Sequence, residues 1–151
     1  MSENKEKIIK KIVREFFEKM ECDEIPEEIR IKDNLVSFEI ETKDPQILIG
    51  KRGQILISIQ HLLSRILNKQ LEEKFFIDFD INQYKKNKMD YLKEIAESLA
   101  DEVILTKKIK SLPPMSSFER RIVHLALSER EGIITESEGE EPDRKVIIKI
   151  G

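Results

Sequence analysis

The chain has one cysteine, no tryptophan, two histidines and five glycines among 151 residues. A lone Cys22 cannot close an internal disulfide, and an unpaired thiol suits a reducing compartment. It reads as a helix-end residue, not a nucleophile. His61 and His124 have no second His or Cys near them at metal-ligand spacing, so no metal or other cofactor is expected. Long apolar runs are missing too. Ile55–Ile59 and Val146–Ile150 fall far short of the ~18 residues that span a bilayer. The amino terminus is charged and then helically periodic, with no apolar signal core. These absences point to a cytoplasmic chain without membrane insertion.

Charge of one sign is also lacking. The 27 Lys and Arg residues face 30 Asp and Glu residues, a formal net charge of −3. Proteins that coat nucleic acid indiscriminately are basic overall, so any contact with nucleic acid must be local. What the chain has in excess is charge of both signs: 38% of residues are charged, against about 25% in typical domains. Long amphipathic helices explain such an excess. A chain of this length forms one domain or two small ones.

Within residues 5–21, Ile8, Ile9, Ile12, Val13, Phe16, Phe17 and Met20 recur at helical spacing and predict an opening helix. Pro26 interrupts the pattern. Glu28–Lys32 and Leu35–Glu41 then read as two strands joined at Asp33-Asn34, with Val36, Phe38 and Ile40 on a buried face. An apolar turn, Gln46 to Ile49, leads into Gly50-Lys51-Arg52-Gly53 and a long helix. Its apolar set, Ile55, Ile59, Leu62, Leu63 and Ile66, is expected to face a core. In Phe75–Ile81 the period switches to two, which places Phe75, Ile77, Phe79 and Ile81 on one side of a third strand.

A second long helix runs from Tyr84 through Leu92, Ile95, Ala96, Leu99 and Val103, and Ser111-Leu112-Pro113-Pro114-Met115 is expected to stop it. Ser116 with Glu119 fits a capping box opening a helix over Ser117–Ser128. Ile133–Ser137 and Lys145–Ile150 read as a hairpin whose loop holds Gly139 and Pro142. The fold class is α+β, with a boundary near Asn82 that separates residues 1–82 from 83–151.

Two places carry chemistry. Gly50 and Gly53 bracket two cations, Lys51 and Arg52, ahead of a helix, so backbone can approach a phosphate chain closely while the helix presents free N–H groups and the positive end of its dipole. The second place is Arg120-Arg121-Ile122-Val123-His124. At 100° per residue, Phe118, Ile122, Leu125 and Ala126 share one face, which is expected to be the core face, with Arg120 and His124 one turn apart on the opposite, solvent side. There they could hold a phosphate between them, with His124 free to stack on a base.

The segment Ile47-Leu48-Ile49-Gly50-Lys51-Arg52-Gly53, with its flanking strands and leading helix, resembles a type II KH domain, whose G-x-x-G loop clamps the backbone of a single strand. Arg120-x-x-x-His124, between Leu112-Pro113-Pro114-Met115 and Thr135-Glu136-Ser137-Glu138-Gly139, is similar to the Arg-x-x-x-His domain, a module that binds single-stranded nucleic acid. That pairing resembles the bacterial Jag family. The resemblance implies a regulator of cell elongation and division that binds single-stranded RNA, acting with a KH-only partner or as a homodimer. It implies RNA contacts at Gly50, Lys51, Arg52, Gly53, Arg120, Arg121 and His124. The opening helix is expected to belong to the KH segment itself, without the amino-terminal Jag domain usual in the family. Asp143 stands where an aromatic residue is expected between Pro142 and Arg144. The acidic loop around it is expected to lie away from any RNA path, since like charges repel.

An enzyme would have to use Ser116 or Ser117 with His124. A serine at a helix start commonly caps it, however, and no glycine elbow or third triad member is evident. No catalytic residue and no small-molecule substrate are therefore expected. The remaining alternative is a protein-interaction module that pairs through its KH helices without nucleic acid.

Overall fold

A computed structural model describes residues 1–151, which divide into two compact units, Met1–Tyr84 and Lys85–Gly151. The first opens with helix α1 (Glu3–Lys19), where the Ser2 hydroxyl accepts from Lys5 N and Glu3 and Glu6 sit at the positive end of the helix dipole. Its Ile9, Val13 and Phe17 are buried. Strands β1 (Ile29–Lys32) and β2 (Leu35–Ile40) pair antiparallel around Asp33, which takes a left-handed φ of 54°. Strand β3 (Phe76–Ile81) lies parallel to β2, from Leu35 opposite Phe76 to Ile40 opposite Ile81. A parallel neighbour needs a crossover. Here it consists of the short helix α2 (Pro45–Ile49) and the long helix α3 (Gln54–Leu71).

Period-two burial on β3 follows the sequence expectation, with Phe75, Ile77, Phe79 and Ile81 all in the core. Phe17, Phe38 and Phe79 meet there at centroid separations of 5.8, 5.4 and 5.1 Å, in the tilted and offset arrangements aromatic rings favour. The expected inward face of α3 needs correction. Leu56, Ile59, Leu63 and Leu67 are buried, whereas Ile55 and Leu62 remain 41% and 51% exposed. This helix is apolar on two sides, and the sheet covers the side that includes Leu56 and Leu67.

In the second unit, α4 (Tyr84–Thr106) buries Leu92, Ala96, Ala100 and Val103. It ends at Thr106, well before the prolines expected to stop it. Lys107 turns left-handed there, at φ 60°, and its N–H bonds to the Val103 carbonyl at 2.8 Å. The early stop frees Lys110–Ser111 to form a short strand, β4, against β6 (Lys145–Ile150), which pairs on its other edge with β5 (Ile133–Glu138). Helix α5 (Ser117–Leu127) packs on this antiparallel sheet. The core joins Val123 and Leu127 of α5 to Val146 and Ile148 of β6 and to the α4 residues. Both units are α+β. No helix of the chain is long and apolar enough to cross a membrane.

Candidate nucleic-acid interface

The loop between α2 and α3 is shaped by its backbone. Gly50 adopts φ 72°, ψ −177°, a region essentially restricted to glycine. A Cβ added at Gly50 would stand 2.5 Å from Ile55 Cγ1. One 3₁₀ turn, Lys51–Gly53, follows, with Arg52 held left-handed at φ 56°. Gly53 is buried, also at positive φ (73°), and a Cβ there would meet the Tyr84 ring at 3.2 Å. The glycines therefore turn inward while Lys51 and Arg52 project into solvent, where neither forms an ion pair. No side chain caps the start of α3; the Gln54 N–H donates to the Lys51 carbonyl, and the positive end of the helix dipole lies beside the two cations.

Side chains, not backbone, shape the second place. The capping box is present as expected: Glu119 N donates to Ser116 Oγ at 3.3 Å and Ser116 N to Glu119 Oε2 at 3.0 Å. The solvent-face reading of Arg120 is overturned, because this residue is only 8% exposed. Its Nη1 donates to the Met115 carbonyl at 2.7 Å, and its Nη2 pairs with Glu141 Oε1 at 2.9 Å. Spacings of three and four put Arg120, Val123 and Leu127 together on the inward face, with Ile122 beside them. Phe118 and Leu125, expected in the core, are instead 63% and 61% exposed. The acidic loop brings Glu141 onto Arg120.

His124 is half-buried. Its Nδ1 lies 2.7 Å from Thr135 Oγ1 and its Nε2 2.9 Å from Ser137 Oγ, so both ring nitrogens are engaged by hydroxyls of β5. Burial lowers its pKa below the usual histidine value, and the nearby Arg120 charge adds to the effect. Arg121, by contrast, is exposed and has no ion-pair partner. Arg144 donates to the Gly139 carbonyl at 2.7 Å. A cavity of about 760 Å³ opens here, and Phe118, Leu125 and Arg144 line it along with Arg120, Arg121 and His124. Sequence reasoning does not place the first three at a site. An aromatic residue one position inside a capped helix is the available signal for Phe118.

Comparison with known proteins follows the same division. Residues 6–79 match the family model of the KhpA/KhpB KH domain, and residues 90–149 match that of the Arg-x-x-x-His domain. The chain is 39% identical over 115 residues to the RNA-binding protein KhpB of Clostridium symbiosum, covering 76% of this chain and 52% of that protein. It is 36% identical over 115 residues to the RNA-binding protein KhpB of Bacillus subtilis, with 75% and 55% covered. Against the RNA-binding protein KhpB of Streptococcus pneumoniae D39 the figures are 30% over 113 residues, 75% and 34%. The matches thus span about a third to a half of these relatives. With a KH unit of that type followed by an Arg-x-x-x-His unit, the chain belongs to the Jag/KhpB family.

Proposed function

We propose that this chain binds single-stranded RNA in the cytoplasm and acts as a post-transcriptional or cell-elongation and division regulator. The observation that carries the reading is the pair of unpartnered cations, Lys51 and Arg52, lifted on a turn that only glycine at position 50 can make. Residues 1–82 supply this first contact point, and residues 83–151 a second one at Arg120, Arg121 and His124. In the second, Arg121 offers the free charge, while Arg120 and His124 hold the surface in shape. Relatives named as RNA-binding proteins support the assignment. No catalytic step is part of it, and the Ser116 hydroxyl is occupied as a cap.

A partner is part of the proposal, either a KH-only protein or a second copy. Ile55 and Leu62, exposed on α3 seven residues apart, with the half-buried Ile66 one turn beyond, make an apolar stripe suited to another helix. The same stripe favours the second reading, an interaction module that pairs without nucleic acid. Ultraviolet cross-linking followed by immunoprecipitation tests the choice. RNA adducts on peptides spanning residues 50–53 and α5 are expected, and recovery no greater than from a Lys51→Asp/Arg52→Asp chain would overturn RNA binding. Sedimentation equilibrium at micromolar concentration, with and without a KH-only protein, tests the partner. A strictly monomeric chain that ignores that protein would remove it.

A further inference from the structure

The two residues that define the second contact point have little left to offer a ligand. Arg120 is engaged through Nη1 on Met115 and through Nη2 on Glu141, and both His124 ring nitrogens are engaged on β5 hydroxyls. What remains unengaged around the cavity is different in kind: two exposed apolar side chains, Phe118 and Leu125, and the exposed Arg121 between them in sequence. Positions 118, 121 and 125 follow the three-and-four spacing that puts side chains on one helix face. In a chain of net charge −3, three arginines line this cavity, of which Arg120 is paired with Glu141 while Arg121 has no ion-pair partner.

We infer that the outer face of α5 is a nucleobase platform, on which one unpaired base of a single-stranded RNA stacks against Phe118 with Leu125 beneath its edge, while Arg121 takes the adjoining phosphate. The inference rests on the RNA-binding reading and says which atoms of the RNA the second unit meets. The chemistry selects this occupant. A flat apolar ring with a cation three residues on matches a base attached to its phosphate, whereas an apolar peptide would gain nothing from Arg121. Stacking on an exposed aromatic is also tolerant of base identity, because every base has a π-face. Arg120 and His124 then act as positioning residues. They fix α5 to the loop and to β5, so that the platform is rigid before RNA arrives.

The chain contains no tryptophan, so Phe118→Trp preserves the platform and places a single reporter on it. Titrating this variant with an unstructured RNA oligonucleotide should quench its emission, and an oligonucleotide of the same length and charge built from abasic units should leave the emission unchanged. Phe118→Ala should weaken RNA binding at least about fivefold, the lower end for losing one base stack, with an unchanged melting temperature because the side chain is exposed. Its affinity for the abasic strand should equal that of the parent. Equal quenching by both strands, or RNA binding by Phe118→Ala within twofold of the parent, overturns the platform while leaving RNA binding standing. Failure of the parent to bind either strand overturns both readings. If emission shifts with protein concentration and ignores RNA, α5 is a protein-pairing face and the platform is again overturned.

Discussion

In the loop between α2 and α3 the backbone is strained and the charges are free, whereas along α5 the backbone is a regular helix and the central charge is already spent on its neighbours. Lys51 and Arg52 carry no partner, and residues of positive φ at 50, 52 and 53 hold them out. Arg120 is buried, with one hydrogen bond to a main-chain carbonyl and one ion pair to a carboxylate. A G-x-x-G loop and an Arg-x-x-x-His helix thus look alike as cationic motifs yet divide their labour differently. In the first unit the motif side chains face solvent without partners, and in the second Arg120 and His124 are engaged within the fold and shape the surface around them.

The sharpest way to break this comparison is to reverse the loop charges. Lys51→Asp with Arg52→Asp should abolish RNA binding in a gel-shift titration, a loss on the order of 100-fold, since two attractive interactions become repulsive. Both residues are exposed, so circular dichroism should be unchanged. The slope of log affinity against log salt should flatten by about 0.7 for each phosphate that the variant no longer neutralises. Binding within threefold of the parent by the folded double variant would show that the loop is a connector.

Arg120→Ala should give the opposite pattern. Sequence alone leads to the expectation of a surface-scale stability change, but burial replaces it. Removing the guanidinium strands the Met115 carbonyl and frees Glu141, and hydrogen bonds to a charged group contribute about 1.5 to 3 kcal/mol each. A melting-temperature drop of several degrees is expected, while Glu141→Ala, which removes the more exposed partner, should cost under about 1 kcal/mol. A surface-scale effect of Arg120→Ala, within ~0.5 kcal/mol, would show that the Met115 hydrogen bond and the Glu141 ion pair are not formed in solution.

Next in size is Gly50→Ala. Forcing a side chain into that backbone region costs about 1 to 3 kcal/mol, before the 2.5 Å approach to Ile55 is relieved. Gly53→Ala should cost less, because its left-handed conformation is open to other residues at roughly 1 to 2 kcal/mol and the Tyr84 ring stands farther off, at 3.2 Å. Thermal melts of the two variants order the effects. If Gly53→Ala proves the more damaging, the glycine-only backbone at position 50 is not what shapes the loop.

Legibility in the sequence tracks how many elements a feature depends on. Alternation on β3 and the Ser116–Glu119 capping box are properties of one segment, and both stand where the pattern puts them. The burial of α3 depends on which of two apolar faces a sheet covers, and periodicity alone cannot choose between Leu56 and Ile55. Helix α5 departs from expectation for a related reason. Placing its arginine outward ignores that Met115 and Glu141, five residues before it and twenty-one after it, supply a carbonyl and a carboxylate to bury it against. The motif locates the site, but the identity of the surface groups, Phe118 and Leu125, emerges only with the rotation of the helix.

The smallest expected effect concerns His124 and separates its structural role from a charged one. Burial and the Arg120 charge lower its pKa in the folded chain, while in the unfolded chain the value is the ordinary ~6.5. Below that unfolded value the unfolded chain takes up a proton that the folded chain still refuses, so protonation favours unfolding. The stability associated with a neutral His124 is therefore complete above about pH 6.5 and is lost as pH falls through the interval down to the folded pKa, with no further loss below it. Melts of the parent at about pH 7.5, 6.5 and 5.5, which bracket the unfolded value, should decline across the lower interval. Those of His124→Ala should start lower, for want of the Thr135 and Ser137 hydrogen bonds, but decline less. RNA affinity should gain little from His124 between about pH 7.5 and 6.5, contrary to a role as a charged phosphate ligand, because burial and Arg120 disfavour its protonation and its nitrogens are turned to β5. An affinity that climbs over that range in the parent and not in His124→Ala would return His124 to direct contact with RNA, and with it the second unit to the same design as the loop.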